Sequence, residues 1–133
     1  MLFFDKDKIL FVNYITVLSI AIEYVAKTID LIRIIQPKYF FIENPRDILR
    51  HLPVINKLSK YDLIRSTVSY YDYGSQFWKP TDLFHNNKQF KPKKMTQKEN
   101  LINHTLCEKK HITKLLNAIP QDLCLSIIKS CSC

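Results

Sequence analysis

Two hydrophobic periods run along this chain. From Tyr14 to Ile35 the apolar residues recur at helical spacing, and Glu23, Lys27, Asp30 and Arg33 fall three or four apart as one polar stripe. That pattern predicts an amphipathic helix covering a sheet. Ile9 to Ala26 also reaches the minimum length of a membrane span, with Glu23 as its only charge. The helix runs on into Lys27-Thr-Ile-Asp without an interfacial break, which argues against a span. Pro37 and Lys38 end the helix. Tyr39 to Ile42 is an unbroken apolar run closing on Glu43, Asn44 and Pro45. It reads as a strand buried on both faces, as in a parallel α/β sheet, with a partner strand expected within residues 8–13 or upstream of Met1. Pro45 has no N–H to donate, so it is expected to stop the ladder and open a short helix over Arg46–Leu52, closed by Pro53.

The period then changes to two. Val68 and Tyr70 alternate with Thr67, Ser69 and Tyr71, predicting a strand from about Ile64 to Tyr71. Gly74 permits a turn, and Pro80 to Asn86 returns as a second, edge-starting strand, so the pair forms a hairpin with its loop at 72–79. From Asn86 to Asn100 the pattern dissolves into Asn, Lys, Gln and Pro, which predicts a flexible surface segment. A last amphipathic helix is predicted from Gln121 to Ser130, behind Pro120. The expectation is one α/β domain over 1–133. It has an unassigned start at 1–12, a core at 13–85, a basic flexible segment at 86–118 and a terminal helix at 119–133.

Charge adds a partner class. Twenty Lys and Arg against twelve Asp and Glu give +8, concentrated between Lys79 and Lys114. A field of that sign favours a polyanion such as nucleic acid. Glycine removes a chemistry: the single Gly74 cannot build the Gly-rich turn that cradles a nucleotide or adenosyl group. No signal peptide precedes the four cysteines, so free thiols in a reducing, intracellular setting are expected.

Three features could carry chemistry. Glu43, Asn44 and Pro45 would be delivered to the carboxyl end of a buried strand, where open α/β sheets bind ligands; the plainer reading is a strand end that caps the next helix. The loop Tyr73–Asp82 sets Lys79 among aromatic and polar side chains, a composition suited to a planar base and its phosphate but also common on ordinary surfaces. His104, Cys107, His111, Cys124, Cys131 and Cys133 are zinc-ligand types, but their spacing lacks the paired C-x2-4-C pattern and argues against zinc. No activated nucleophile is visible.

Three ordered blocks then resemble one family. Lys38-Tyr-Phe-Phe-Ile-Glu-Asn-Pro, Arg65-Ser-Thr-Val-Ser-Tyr-Tyr-Asp-Tyr-Gly and Lys79-Pro-Thr-Asp-Leu-Phe-His-Asn look like the carboxyl-side catalytic blocks of phage- and virus-type DNA (cytosine-5) methyltransferases. The closing Ile119-Pro-Gln-Asp-Leu-Cys is similar to that family's end. The resemblance implies a Rossmann-like sheet, here incomplete: one buried strand plus a strand hairpin, flanked by helices. It implies S-adenosylmethionine as cofactor of the complete enzyme and a flipped cytosine as substrate. Glu43 would hydrogen-bond the N3/N4 edge of the base, and burial would raise its pKa and keep a proton there. Asn44 and Pro45 would shape the pocket, and Arg65, Lys79 and Thr81 would lie near the base and the DNA backbone. The family's Gly-rich loop and Pro-Cys nucleophile precede these blocks, and neither occurs here: no cysteine follows a proline. The expectation is therefore the carboxyl-terminal half of a split, interrupted or decayed enzyme, inactive alone, with DNA and a separate amino-terminal half as partners, in host cytoplasm or nucleus if viral. The alternative is a non-catalytic basic nucleic-acid-binding module.

Overall fold

The computed structural model describes residues 2–4, 9–13, 18–100 and 118–132. Five strands form one open mixed sheet: β1 (Leu2–Phe4), β2 (Ile9–Asn13), β3 (Tyr39–Pro45), β4 (Ile64–Ser69) and β5 (Pro80–His85), in the order β1-β2-β3-β5-β4. β2 and β3 are parallel, joined through helix α1 (Leu18–Ile35), and β2 is the partner expected within residues 8–13. The sequence places Ile9–Ala26 in one run, but its first part is β2. No helix among the described residues is long and apolar enough to cross a membrane.

α1 presents Val25, Thr28, Ile29 and Ile32 inward, while Glu23, Lys27, Asp30 and Arg33 are exposed as the polar stripe required. It stops where Gln36 turns to φ 49°, with its N–H returning to the Ile32 carbonyl, one step before Pro37.

β3 departs from the expectation of a parallel sheet on both sides. β5 pairs with it antiparallel, and β4 pairs antiparallel with β5, so β5 lies inverted between two strands of like direction. Nor does Pro45 stop the ladder: it pairs with Thr81, and Arg46 N–H continues to the Pro80 carbonyl at 3.0 Å. That bond makes 42, 44 and 46 the hydrogen-bonded positions toward β5. Position 45 thus points its nitrogen away from β5, beyond Asn13, the last paired residue of β2. A proline costs no ladder bond there.

The short helix expected at 46–52 is a 3-10 turn, Ile48–His51, and Pro53, expected to close it, opens a second 3-10 helix, Pro53–Tyr61. Leu52, Ile55, Leu58 and Tyr61 recur every third residue, the 3-10 period, and pack with α1, Phe40, Ile42 and Phe84 on one face of the sheet. The opposite face carries Phe41, Val68, Tyr70, Tyr73, Leu83 and Phe90 beneath α2 (Gln121–Cys131).

β4 ends at Ser69 rather than Tyr71. The Ser69 hydroxyl accepts from Tyr71 N–H, capping a 3-10 turn, Tyr70–Tyr73, that Gly74 closes at φ 92°. Residues 86–97 lack helix or strand, as their composition suggested, but they lie along the fold as a strap. Asn86 receives Phe40 N–H and donates to the Lys38 carbonyl, extending the start of β3. Phe90 is buried, Lys93 N–H donates to the Tyr73 hydroxyl, and the N–H and hydroxyl of Thr96 both donate to Asp72. Residues 101–117, the rest of the predicted flexible segment, lie outside the described residues.

Candidate functional site

Because neighbours on a strand face opposite ways, the sheet divides the sequence-predicted site. Glu43 and Pro45 share a face with Thr81, under α2; Asn44 lies on the other face, with Asp82, and Arg65, opposite Phe84, belongs to that face too. Asn44 donates its side-chain amide to the Pro45 carbonyl at 2.9 Å. Arg65 is exposed. The structure therefore brings together Glu43, Lys79 and Thr81, with Pro45 beside Thr81, and leaves Asn44 and Arg65 across the sheet.

Glu43 is 1% exposed. The Tyr70 hydroxyl, equally buried, donates to its Oε1 at 2.8 Å. Lys79 Nζ stands 4.9 Å from the centre of the Tyr70 ring, and the Thr81 hydroxyl donates to the Lys79 carbonyl at 3.2 Å. Burial raises the Glu43 carboxyl above its ordinary range, against the pull of the Tyr70 hydrogen bond and the Lys79 charge. Burial also pushes Lys79 down, with Glu43 offsetting part of the effect. Tyr70 is raised by burial first and by Glu43 second, so its phenol stays protonated and donating. The arrangement is a buried carboxyl with a raised pKa, gripped by a phenol, with a cation one ring away.

Tyr70 was the residue missed. Its signal lay in the Tyr-Tyr-Asp-Tyr-Gly run, but its partner is 27 positions away in sequence. A second polar cluster on the α1 face was also missed: Arg50 grips Asp82 with two bonds of 2.9 Å, and Thr67 donates to the same carboxylate at 2.8 Å. With Asp82 at 1% exposure, this is a bidentate pair that ties the 3-10 turn to the sheet.

Ser66 and His85 approach to 2.9 Å, but they are not a nucleophile and its base. Asn87 N–H donates to Nδ1 at 3.2 Å, which leaves the ring proton on Nε2, donating to Ser66. His85 stacks on Phe41 and is held neutral by burial, its pKa lowered to about 4.

A cleft of about 390 Å³ opens between the 73–77 loop and the start of α2, lined by Tyr73, Gly74, Phe77, Ile119, Pro120 and Asp122 among others. Neither Glu43 nor Lys79 reaches it, so the cation expected among the loop's aromatics sits instead over Tyr70. The single glycine is spent closing the Tyr70–Tyr73 turn. Among the described residues no three His, Cys, Asp or Glu side chains gather to hold a metal ion. His104, Cys107, His111 and Cys133 lie outside the described residues. Cys124 is half-buried, and burial raises its thiol, the opposite of an activated nucleophile.

Comparison with protein-family models, with characterised proteins and with solved structures finds no match for this chain.

Proposed function

We propose that this chain is the cytosine-pocket half of a DNA (cytosine-5) methyltransferase and transfers no methyl group by itself. The observation that carries the reading is Glu43: a buried carboxyl near the carboxyl end of β3, biased toward its protonated form, in the block that resembles the family's base-binding motif. A proton held there suits donation to N3 of a flipped cytosine, which makes C6 electrophilic. The β2-α1-β3 crossover supports a Rossmann-like sheet, and the inverted β5 lays Thr81, with Lys79 just before the strand, alongside the end of β3. S-adenosylmethionine and the Pro-Cys thiolate would come from a second polypeptide or an upstream segment, since covalent addition to C6 has no nucleophile in this sequence.

Co-expression with an amino-terminal half carrying the Gly-rich loop and the Pro-Cys block tests this. The readout is labelled methyl transfer to a cytosine-containing duplex. The complex should turn over, the lone chain should not, and Glu43→Gln in the complex should lower the rate about 100-fold or more, the usual worth of a positioned acid. Turnover by the lone chain, or a fully active Glu43→Gln complex, would overturn the proposal.

A further inference from the structure

The strap that crosses the α2 face is also the most basic stretch of the fold. Lys88, Lys91, Lys93, Lys94 and Lys98 are all exposed, and no acidic residue interrupts the chain between Asp82 and Glu99. A solvated charge run would leave its backbone loose. This one is bolted down at each end. Asn87 is fully buried and donates to the Ser130 carbonyl and hydroxyl of α2 at 3.1 and 3.0 Å. Phe90 inserts edge-on against Phe41 and His85. Lys93 lays its ammonium over Tyr73 and donates to the Asp72 carbonyl, and Trp78 Nε1 donates to the Thr96 carbonyl at 2.8 Å. Asp72 and Tyr73, which hold the strap, belong to the same turn as Tyr70, the partner of Glu43.

We propose that residues 88–98 form a rigid ridge that receives the sugar–phosphate backbone of a nucleic acid, fixed in place by the Asp72–Thr96 clasp. Lys88, Lys91 and Lys94 fall three residues apart in a stretch without helix, so successive ammonium groups are spread over at most about 10 Å of backbone each. Five exposed ammonium groups in one anchored stretch suit an extended polyanion better than a single phosphate. The strap's aromatic anchor, Phe90, is turned inward and buried. Tyr71, 42% exposed, and the half-buried Trp78 flank the clasp with ring surface on which an unpaired base can stack. An acidic polypeptide would use the lysines but gain nothing from those rings. The ridge stands or falls separately from methyl transfer, because its test needs neither cofactor nor a second half.

The experiment is fluorescence anisotropy of a short labelled DNA duplex with the full chain, between about 50 and 200 mM salt. Removing Lys88, Lys91 and Lys94 together as glutamine should flatten the slope of log affinity against log salt by roughly 2.7, about 0.9 for each lost phosphate contact. Asp72→Ala is the sharper arm. It makes the protein more positive, so a loose basic patch would bind DNA more tightly. A preorganised ridge would bind it about threefold or more weakly, because the strap must be ordered again on binding. Thr96→Val, which leaves the charge alone, should weaken binding in the same sense and guards against Asp72→Ala failing to fold. An unchanged slope in the triple glutamine variant, or tighter binding by both clasp variants, overturns the proposal. So does equal competition by polyglutamate or by anionic phospholipid vesicles, which would make the ridge a general polyanion surface.

Discussion

Glu43 is held at a cost. A carboxyl at 1% exposure, above its ordinary pKa, binds its proton more tightly in the folded chain than in the unfolded one. The sign follows: its stabilising contribution is full below the ordinary carboxyl pKa and is lost as pH rises through the raised folded value. Glu43→Gln keeps an oxygen for the Tyr70 hydroxyl and removes the titration. The variant should therefore be more stable than the parent at pH 8, with the gain shrinking toward pH 4, as read from urea midpoints at the two values. A variant less stable than the parent at pH 8 would mean that Tyr70 and Lys79 stabilise the ionised carboxylate, and the proton-holding reading would fail. A residue whose removal steadies the fold is kept for something other than folding. This much was legible beforehand, because an apolar run closing on Glu-Asn-Pro announces a buried acid. Its grip by Tyr70 was not: that contact depends on β4 ending at Ser69, where a hydroxyl cap ends the alternation early.

Among the elements, periodicity found α1, the hairpin and α2, while an unbroken apolar run found β3, which is buried on both faces. Pro45 was misread for a reason of parity. Whether a proline breaks a ladder depends on which neighbour its nitrogen faces, and that is fixed only once β5 is in register. The Pro53–Tyr61 helix was overlooked although its three-residue spacing of Leu52, Ile55, Leu58 and Tyr61 is visible in the sequence. The strap is the clearest case of tertiary override. Its composition is that of a solvated linker, yet two asparagines, a phenylalanine and a threonine find partners in β3, α2 and the Tyr70–Tyr73 turn. Asn87 bears the most of this. Its amide donates to two oxygens of Ser130, its carbonyl oxygen accepts from Gln89 N–H at 3.0 Å, and it is fully buried. Asn87→Ala should cost about 2–4 kcal/mol, within the range for stripping a buried hydrogen-bonding group of several partners. Amide exchange should show protection lost first across Gln121–Cys131, with β3 and β5 protected. Uniform loss of protection would show instead that α2 and the sheet open together.

At the scale of the whole molecule, both of the buried groups with opposite pH preferences sit on the α2 face, and they bracket its stability. Glu43 weakens the fold as pH rises. His85 weakens it as pH falls: its pKa is lowered to about 4, against an ordinary value of 6.5, so the unfolded chain takes up a proton first. Its contribution is complete above the ordinary value and disappears on descent toward pH 4, and a shift of that size corresponds to roughly 3 kcal/mol. The ring cannot accept this proton cheaply. Its Nδ1 is already the acceptor for Asn87 N–H, and its faces and edges are closed by Phe41 and Phe90. The two slopes oppose each other from the ordinary carboxyl range up to 6.5, so the profile is their difference: an acid limb that rises with pH from His85 and a falling limb from Glu43. His85→Gln should lower stability near neutrality, where the stacking is lost, and remove the rising limb; Glu43→Gln should remove the falling limb and leave the His85 rise uncompensated. Phe41 pairs with His85 and Glu43 with Leu83, so the two groups are close on one face. In the double variant the limb effects should depart from simple addition only if the charges couple through the sheet. Urea midpoints for the four proteins from pH 4 to 8 separate these cases. An acid limb that survives His85→Gln would overturn its assignment to His85.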